Sequence, residues 1–510
     1  MSLQDLAHVN AILAAGGHPP LAAPPHPDLV RGERALRVYE LSAELREAIP
    51  LALTPAGREA FFGWAVLHSA GEMTVTPAEA LALLAHTDRL PDRGLELTYR
   101  LNPVWQQAVP DALTTGGWAR LKEHVRTAHG LEEEWVRRAV LTRRYPPARG
   151  RGVNVLGHFD YPSGLQQVAE GLVDALHRAG VQTSTRDLPF GFRPDAKAAR
   201  KLGTERFDTS VLVVAADSFA PDWYRKAGLW VRPGVRRVAV WFWELEQVPA
   251  DWRPRLAWPD EVWAPTRFVA DAFRPATPAP VRVVLPGVPL PRFRHLPRSH
   301  FGLPDKRPLF LFAFDMASRM ARKNPLGLIA AFRRAFRPDE PAELVIKTSR
   351  GDKHPEEFDQ LRRACDANRV KLIDGVMPRA ELLALMHCCD CFASLHRSEG
   401  LGLGMAEAML MGKPVVATAY SGNLDFMTDD TAYLVRAGRV ACGSGADPYP
   451  PDMLWADPDL GHAAELLRRV VDRPDEARQV GERAARHAKR LLSADAYAKR
   501  LAEALGGPRQ

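Results

Sequence analysis

Two glutamates and a run of glycines stand close together late in the sequence. Glu399 and Glu407 are separated by the glycine-rich segment that begins Gly400, Leu401, Gly402. The backbone N–H groups of such a segment, placed before a helix, favour an anionic group such as a phosphate. Carboxylates instead accept hydrogen bonds from the paired hydroxyls of a ribose or a sugar ring. Together these residue types predict a pocket for a nucleotide sugar.

A second group of charged residues precedes this segment in the chain. Arg322 and Lys323 stand directly before Asn324 and Pro325, which predict the cap and first turn of a helix over residues 326–336. Two cations beside the N–H groups of a helix start would neutralise a diphosphate, which is the leaving group when a nucleotide sugar donates its sugar. A solvated basic helix start is the alternative interpretation.

Three further residues extend the predicted donor pocket. Lys347 ends a predicted strand over residues 343–348 and is another candidate neighbour of the phosphates. Ser421 and Asn423 lie in a turn after the glycine-rich segment and are candidates for contact with donor hydroxyls.

Short apolar runs and helix signals predict the elements that position the glutamates. Residues 391–395 are predicted as a buried strand, 396–404 as a polar loop and 405–411 as a helix closed by Gly412. A second apolar strand is predicted at 415–418. This order places one glutamate in the loop and the other in the first turn of the helix.

Three residues near the ends of earlier predicted strands are candidates for the acceptor side of a transfer reaction. His158 and Gly164 follow the first of these strands, and Glu244 comes where another strand should end. The alternative for His158 is a solvated loop histidine, and the alternative for Gly164 is a tight turn. For Glu244 it is a salt bridge at the end of a strand. The acceptor role is one of two open interpretations for each residue.

The sequence EGLGLGMAE over residues 399–407 resembles the E-x7-E signature of retaining glycosyltransferases of family 4, and GKPVVA over residues 412–417 fits the same pattern. The resemblance implies the GT-B fold, with two Rossmann-like domains facing a cleft. It implies that Glu407 holds the ribose hydroxyls and Glu399 the transferred sugar. It also implies that backbone groups near Val376 face the base.

The resemblance also bears on the chemistry. In that family the leaving phosphate is thought to accept the proton of the acceptor, so neither a cofactor nor a metal is implied. Two departures stand out. The arginine that relatives place five residues before the lysine is Ser318 here, and Trp243 and Glu244 stand where many relatives have a histidine in the cleft loop.

Strands and helices alternate from residue 153 onward, which predicts an α/β protein with doubly wound parallel sheets. Residues 145–152 have the composition of a linker. The predicted organisation is a helical accessory domain (1–145), an acceptor domain (153–290), a donor domain (300–475) and C-terminal helices that in GT-B proteins cross back to the first Rossmann-like domain (476–510).

Composition narrows the function classes. The chain has 510 residues, of which 46% are hydrophobic and 25% charged, as in globular proteins of several domains. No apolar run reaches the roughly 20 residues of a membrane span, and residues 1–20 do not read as a signal peptide. The five cysteines suggest a reducing cytoplasm. Cys388, Cys389 and Cys391 lack the spacing of a zinc site, so buried packing is expected and no metal site is predicted.

The net charge of +7 is spread along the chain. A solvated arginine-rich surface is one interpretation, and peripheral contact with an anionic membrane at its inner face is the other. Nucleic acid is not an expected partner, since no basic motif interleaved with aromatic residues occurs.

These observations lead to one functional hypothesis, a retaining glycosyltransferase. It would move a hexosyl unit from a UDP- or GDP-sugar to a saccharide or a lipid-linked acceptor. A non-catalytic protein that binds saccharides or nucleotide sugars is an alternative, and a phosphorylase with pyridoxal phosphate is a weaker one. A dehydrogenase is weakest, because the glycine spacing is wrong for a dinucleotide. The hypothesis requires the acidic pair and the cationic helix start to line one site.

Overall fold

The computed structural model of the chain describes residues 5–23, 33–69, 75–89, 91–132, 134–141, 152–161, 163–189, 201–217, 220–366 and 370–506. The linker predicted over residues 145–152 lies outside these ranges except for Gly152. The described helices do not combine the length and the apolar character that a membrane span requires.

Helices fill the described part of residues 5–141, as predicted for this region. They are α1 (Leu6–Ala15), α2 (Glu33–Leu41), α3 (Ala43–Ala48), α4 (Arg58–Leu67), α5 (Pro77–Arg89), α6 (Pro91–Leu101), α7 (Pro103–Ala108), α8 (Thr115–Ala128) and α9 (Glu134–Arg138). A capping box begins α5: Glu79 N donates to Thr76 Oγ1 over 3.2 Å, and Thr76 N donates to Glu79 Oε2 over 2.9 Å.

An internal repeat, which the sequence analysis did not predict, underlies this helical region. LREAIPLALT over residues 45–54 corresponds to WQQAVPDALT over 105–114. Tyr39 Oη donates to the Ile49 carbonyl over 3.0 Å, and Tyr99 Oη donates to the Val109 carbonyl over 2.9 Å. The segments α2–α4 and α6–α8 are therefore two copies of one structural unit.

Both copies make the same kind of contact outside the repeat. Arg46 Nη2 donates to the Arg225 carbonyl over 2.7 Å, and Gln106 Nε2 donates to the Gly228 carbonyl over 2.8 Å. Buried carbonyls at the end of a helix need such donors. The two copies thus supply hydrogen bonds to the same short stretch of chain.

The first sheet has six strands in the order β2-β1-β3-β4-β5-β6. These are β1 (Gly152–Gly157), β2 (Gln182–Asp187), β3 (Thr209–Val213), β4 (Arg236–Val240), β5 (Glu261–Ala264) and β6 (Val281–Val283), and the helices between them are α10 (Gly164–Arg178), α11 (Ala220–Lys226) and α12 (Arg267–Phe273). Strand β1 pairs in parallel with β2 and β3, and β5 pairs in parallel with β6.

Strand β2 was not predicted, because its sequence QTSTRD is polar. It lies at the edge of the sheet, and polar contacts cover it. Arg186 is almost fully buried and donates to the carbonyls of Arg100 and Gly203. Since hydrogen bonds with helical residues replace apolar packing on this strand, the sequence shows no apolar pattern there.

The second sheet also has six strands, in the order β12-β11-β10-β7-β8-β9. These are β7 (Leu309–Ala313), β8 (Glu343–Thr348), β9 (Val370–Asp374), β10 (Cys391–Ser394), β11 (Val415–Thr418) and β12 (Tyr433–Val435), and the helices between them are α13 (Met320–Lys323), α14 (Pro325–Ala335), α15 (Pro355–Asp366), α16 (Arg379–Cys388) and α17 (Leu403–Leu410). Its strand pairs are parallel. The apolar strands are buried on both faces, as a parallel sheet requires.

The chain ends with a hairpin and helices. The antiparallel pair is β13 (Ala437–Ala441) and β14 (Leu454–Pro458), and the helices are α18 (Leu460–Asp472), α19 (Pro474–Leu492) and α20 (Ala494–Gly506). Tyr497 of α20 lines a small cavity together with Val240, Trp263 and Pro286. The last helix therefore packs against residues of β4 and β5.

The described chain forms two compact units, and the boundary between them falls within β4. The first consists of residues 1–173, 180–214 and 218–238, and the second of residues 174–179, 215–217 and 239–510. The second unit therefore contains β5, β6 and the whole second sheet.

Candidate functional site

An ion pair between Lys323 and Glu399 lies at the start of α14. Arg322 is the second cation at this position. Its Nη1 atom lies 3.4 Å from Glu399 Oε2 and donates a 2.8 Å hydrogen bond to the Ser398 carbonyl. The second unit thus brings the predicted cations and one predicted carboxylate into direct contact, although 76 residues separate Lys323 from Glu399 in the sequence.

Electrostatics fix the charge of this cluster. Burial raises the pKa of Glu399, but Lys323 and Arg322 lower it by more, to about 2. The carboxylate is therefore ionised at neutral pH. The side chains of Lys323 and Glu399 are 16% and 13% exposed, whereas that of Arg322 is 5% exposed. Lys323 and Glu399 are thus the members of the cluster that reach the surface.

A strained backbone positions the two cations. Arg319 and Asn324, which precede α13 and α14, have φ values of 66° and 54°. Asn324 Oδ1 accepts from the Gly327 N–H over 3.2 Å, and its Nδ2 donates to the Leu395 carbonyl over 2.8 Å. A left-handed conformation in a residue other than glycine costs energy and is held only where neighbouring contacts determine it. At Asn324, the cap of α14 and the hydrogen bond to Leu395, which directly follows β10, stabilise this conformation.

Ser421 and Gly422 fix the loop that carries Glu399. The Glu399 N–H donates to Ser421 Oγ over 2.9 Å, and the Gly422 N–H donates to the Glu399 carbonyl over 2.9 Å. A Cβ at Gly422 would overlap the Gly400 carbonyl, so the two loop segments approach closely only because this residue is glycine. Ser421 therefore holds the loop backbone, and its predicted contact with the donor stays a prediction.

Asn423 is fully buried beneath the same loop. Its Nδ2 donates to the Thr418 carbonyl over 3.0 Å, and its Oδ1 lies 3.2 Å from His396 Nε2. These bonds join the loop to the end of β11. The predicted donor contact of Asn423 likewise stays a prediction.

The glycine-rich segment turns directly into α17. Gly402 is the N-cap residue and has φ of 92°, a conformation that suits glycine. Leu401 is buried in the core, and the Gly400 carbonyl accepts from Thr266 Oγ1 over 3.0 Å. The helix begins at Leu403, two residues before its predicted start.

Glu407 lies in the second turn of α17, not in the first turn as predicted, because the helix begins two residues early. It forms an ion pair with Arg379, which begins α16. Its side chain is 4% exposed, and that of Arg379 is 28% exposed. Burial raises the pKa of Glu407, although Arg379 acts in the opposite direction. Arg379 was not predicted as a site residue, because no motif links residues 379 and 407.

Two more predicted residues are found at the turn after β9: Lys347 of β8 contacts this turn, and Val376 lies within it. Lys347 Nζ donates to the carbonyls of Thr348 and Gly375, over 2.5 and 2.6 Å. Val376 follows Gly375 in this turn and is 66% exposed. Lys347 therefore supports the turn, Val376 is accessible to a ligand, and the predicted roles of both stay predictions.

Glu244 belongs to a cluster built around Tyr449. Tyr449 Oη donates to Glu244 Oε2 over 3.1 Å, and its ring centroid lies 5.9 Å from Arg322 Cζ. Tyr449 lies in the connection between β13 and β14, which was not predicted as a hairpin. Its contact with Arg322 was therefore not visible in the sequence, and the role of Glu244 at the acceptor side stays a prediction.

His158 and Gly164 lie in the first unit. His158 is 4% exposed, its Nδ1 lies 2.8 Å from the Leu188 carbonyl, and burial lowers its pKa. Gly164 begins α10 and is exposed. The acceptor role predicted for both residues stays a prediction.

Within the described ranges, no group of three or more His, Cys, Asp and Glu side chains is arranged to hold a metal ion. The cysteines are free thiols, and Cys389 and Cys391 are buried, where burial raises their pKa.

Comparison with known families gives a match over the second sheet. Residues 307–442 match the family model described as Glycosyl transferases group 1. This range contains Lys323, Glu399 and Glu407, and therefore both ion pairs described above.

Curated relatives cover part of the chain. A D-inositol 3-phosphate glycosyltransferase of Kineococcus radiotolerans is 30% identical over 228 residues, which is 42% of this chain and 48% of that protein. A D-inositol 3-phosphate glycosyltransferase of a Nocardioides species is 30% identical over 213 residues, 39% of this chain and 42% of that protein. The chain thus spans about half the length of the curated relatives it matches.

Among solved structures, Anabaena HepE in complex with UDP-glucose is similar with a TM-score of 0.50 and 16% identity. The match covers 70% of this chain and 99% of HepE. At this identity the likeness concerns the fold, and with the two parallel six-stranded sheets it confirms the predicted GT-B architecture.

Proposed function

We propose that the chain, which has the GT-B fold and matches the Glycosyl transferases group 1 model over residues 307–442, is a retaining glycosyltransferase acting on a nucleoside diphosphate sugar. The observation that carries the proposal is the contact of Lys323 and Arg322 with Glu399 at the start of α14. Cations for a leaving diphosphate and a carboxylate for sugar hydroxyls then belong to one site. The curated relatives support the class of reaction, since both are named glycosyltransferases.

The proposed reaction moves a hexosyl unit from a UDP- or GDP-sugar to a saccharide or lipid-linked acceptor. The acceptor oxygen forms the new bond to the anomeric carbon as the bond from that carbon to the β-phosphate oxygen breaks. The acceptor proton passes to the leaving phosphate, so neither a protein base nor a metal is needed. Assignment to family 4, retention of configuration and peripheral contact with a membrane are parts of this proposal.

Each side chain has a distinct part in this chemistry. Lys323 stabilises the negative charge that develops on the leaving diphosphate, and a group that acts more strongly in the transition state raises the rate. Glu399 accepts hydrogen bonds from the transferred sugar, and Glu407 accepts them from the ribose. Because Lys323 is paired with Glu399, a bound diphosphate would share that cation with the carboxylate.

A donor screen tests the proposal. UDP-glucose, UDP-N-acetylglucosamine and GDP-mannose are added to the full chain, and thermal unfolding and release of nucleoside diphosphate are followed. A ligand at a hundred times its Kd stabilises the folded state by about 2.7 kcal/mol, so the correct donor raises Tm measurably. Release of UDP or GDP then reports transfer or donor hydrolysis.

Lys323→Met is the informative variant in this screen. It is expected to lower turnover by about a hundredfold, because it removes one donor of transition-state stabilisation. Lys353→Met is the matched control, since Lys353 is 68% exposed and pairs only with neighbouring Asp352 among its described contacts.

Three outcomes count against the proposal. If no nucleotide sugar changes Tm or is turned over, the proposed function is wrong. A change in Tm without turnover supports the non-catalytic binding protein instead. Normal turnover by Lys323→Met removes Lys323 from the chemistry.

A further inference from the structure

We propose that Tyr449, oriented by Glu244, is a positioning residue that holds Arg322 in the site, and this inference rests on the proposed function. It gives a role to Glu244, which stands where many relatives have a histidine in the cleft loop. Neither Tyr449 nor Glu244 belongs to the sequence signatures that predict the donor pocket.

The contacts of Tyr449 define its position closely. Its ring lies 5.9 Å from Arg322 Cζ, and its hydroxyl donates to Glu244 over 3.1 Å. The ring also packs against Trp243 and Trp455, with centroid distances of 5.4 and 6.0 Å. Only 6% of Tyr449 is exposed, so this side chain has little freedom to move.

Arg322 needs such a neighbour. It is 4% exposed, and its buried Nε atom has no hydrogen-bond partner among the described residues. Its Nη1 donates to Ser398, and Glu399 lies close by on the same side. A buried guanidinium with an unsatisfied donor is costly, and the face of an aromatic ring attracts it. The Tyr449 ring therefore confines the guanidinium beside Glu399.

The hairpin that carries Tyr449 has a second point of attachment to the same segment. Arg439 of β13 pairs with Glu246 at 3.0 Å, and its guanidinium lies 4.0 Å from the Tyr420 ring centroid. Tyr420 Oη in turn donates to Glu246 over 3.2 Å. The hairpin is thus joined to this segment by two contacts, from Tyr449 to Glu244 and from Arg439 to Glu246.

The expected kinetic effect follows from the order of contacts. Tyr449 contacts Arg322, and Arg322 contacts Glu399, so Tyr449 influences the charged groups without being one of them. Loss of its ring is expected to lower kcat more than it changes the KM of the donor. Since the effect passes through Arg322, it is expected to disappear when Arg322 is absent.

The test uses variants of the full chain with the donor that the screen identifies. Tyr449→Leu is expected to lower kcat by about ten- to thirtyfold, the scale of a buried cation–π contact, with donor KM changed by less than about threefold. Tyr449→Phe keeps the ring and is expected to fall between this variant and the unaltered protein. In an Arg322→Ala background, Tyr449→Leu is expected to change kcat by less than about twofold.

Tyr433→Leu is the matched control. Tyr433 also lies beneath an arginine, with Arg469 Cζ 5.8 Å from its ring, and its hydroxyl bonds to Glu476 over 3.4 Å. It has the same kind of surroundings as Tyr449 but contacts no residue of the site among its described partners. The kcat of the Tyr433→Leu variant is expected to equal that of the unaltered protein.

The outcomes separate this inference from the proposed function. If Tyr449→Leu lowers kcat equally with and without Arg322, the effect is a general structural one and the inference is wrong. The same holds if Tyr433→Leu lowers kcat as much as Tyr449→Leu does. Either result leaves the proposed function standing. Unchanged kcat in Tyr449→Leu also overturns the inference and leaves the proposed function standing. Absence of turnover in the unaltered protein overturns the proposed function, and the inference with it.

Discussion

Lys323 and Glu399 form an ion pair in which both side chains are largely shielded from solvent. Such a pair costs desolvation energy, and removal of one partner leaves an uncompensated charge. A purely structural pair at this depth would be replaceable by apolar side chains. A pair that exchanges partners with a diphosphate and sugar hydroxyls must keep both charges. The choice of ionic residues here therefore fits a binding site better than it fits a device for stability.

The pKa of Glu399 gives a prediction for stability against pH. Its folded-state pKa of about 2 lies below the ordinary glutamate value of 4.5, so the stability it contributes is present above pH 4.5 and is lost as pH falls towards 2. Glu399→Gln is therefore expected to lower Tm at pH 7, and the difference from the unaltered protein should shrink between pH 5 and pH 3. Thermal unfolding followed by circular dichroism measures it.

Glu482→Gln is the control for this titration. Glu482 pairs with Arg478 over 3.1 Å on the exposed side of α19, where an ion pair contributes little. Its Tm difference should be small at every pH. A Tm difference for Glu399→Gln that does not change with pH would contradict the assigned ion pair.

At the level of elements, apolar buried strands could be predicted from the sequence. A polar strand whose side chains are hydrogen-bonded to other residues could not. Strands β8 and β11 have the predicted bounds, and β10 ends one residue earlier than predicted. Such strands are apolar because both faces are buried. Strand β2 is polar because hydrogen bonds cover it, and the hairpin of β13 and β14 carries a Gly- and Pro-rich connection typical of a loop.

The same division holds for the candidate site. Lys323, Glu399 and Glu407 stand in local patterns of glycines, caps and helix signals that a single sequence displays. Arg379 and Tyr449 contribute through contacts with residues far away in the chain, and those contacts exist only after folding. Local sequence patterns were therefore enough to predict the charged residues of the site. The residues that contact them from distant parts of the chain could be identified only from the tertiary structure.

Asn324 joins two elements and supports a prediction at this scale. It adopts a left-handed conformation and caps α14. Asn324→Ala is expected to lower the free energy of unfolding by about 2 kcal/mol, through the lost cap and the strained φ of alanine. Asn324→Gly also loses the cap but tolerates this φ, so it should be about 1 kcal/mol less destabilising than alanine.

Urea denaturation of the two Asn324 variants measures both effects. Equal stability of the alanine and glycine variants would mean that position 324 is not left-handed in solution. Stability equal to that of the unaltered protein would mean that the cap contributes nothing.

At the level of the whole molecule, the helical region contains a duplicated unit that makes hydrogen bonds with other parts of the first unit. Arg46 and Gln106 occupy equivalent positions in the two copies, and both donate to carbonyls between residues 225 and 228. Arg186 of β2 is likewise buried against helical residues. Residues 1–173 consequently belong to one compact unit with β1, β2 and β3. Removal of the helices would leave these polar groups without partners, which is costly in a buried position.

The repeat makes a last prediction, because Gly57 and Gly117 are equivalent in its two copies. A Cβ at Gly57 would overlap the Leu51 carbonyl, and a Cβ at Gly117 would overlap the Asp111 carbonyl. Gly57→Ala and Gly117→Ala are each expected to lower the free energy of unfolding by about 1 to 3 kcal/mol, because a close-packed backbone must shift. Chemical denaturation followed by far-ultraviolet circular dichroism measures the loss.

Gly63→Ala provides the opposite expectation in the same region. Gly63 lies inside α4, and a Cβ there would meet no atom within 4 Å. Alanine is expected to raise the free energy of unfolding by about 0.5 to 1 kcal/mol, since it restricts the unfolded chain and favours the helix. If Gly57→Ala or Gly117→Ala is as stable as Gly63→Ala, the close approach of that glycine to the Leu51 or Asp111 carbonyl is absent in solution. A loss in one copy alone would show that the two copies have diverged in packing.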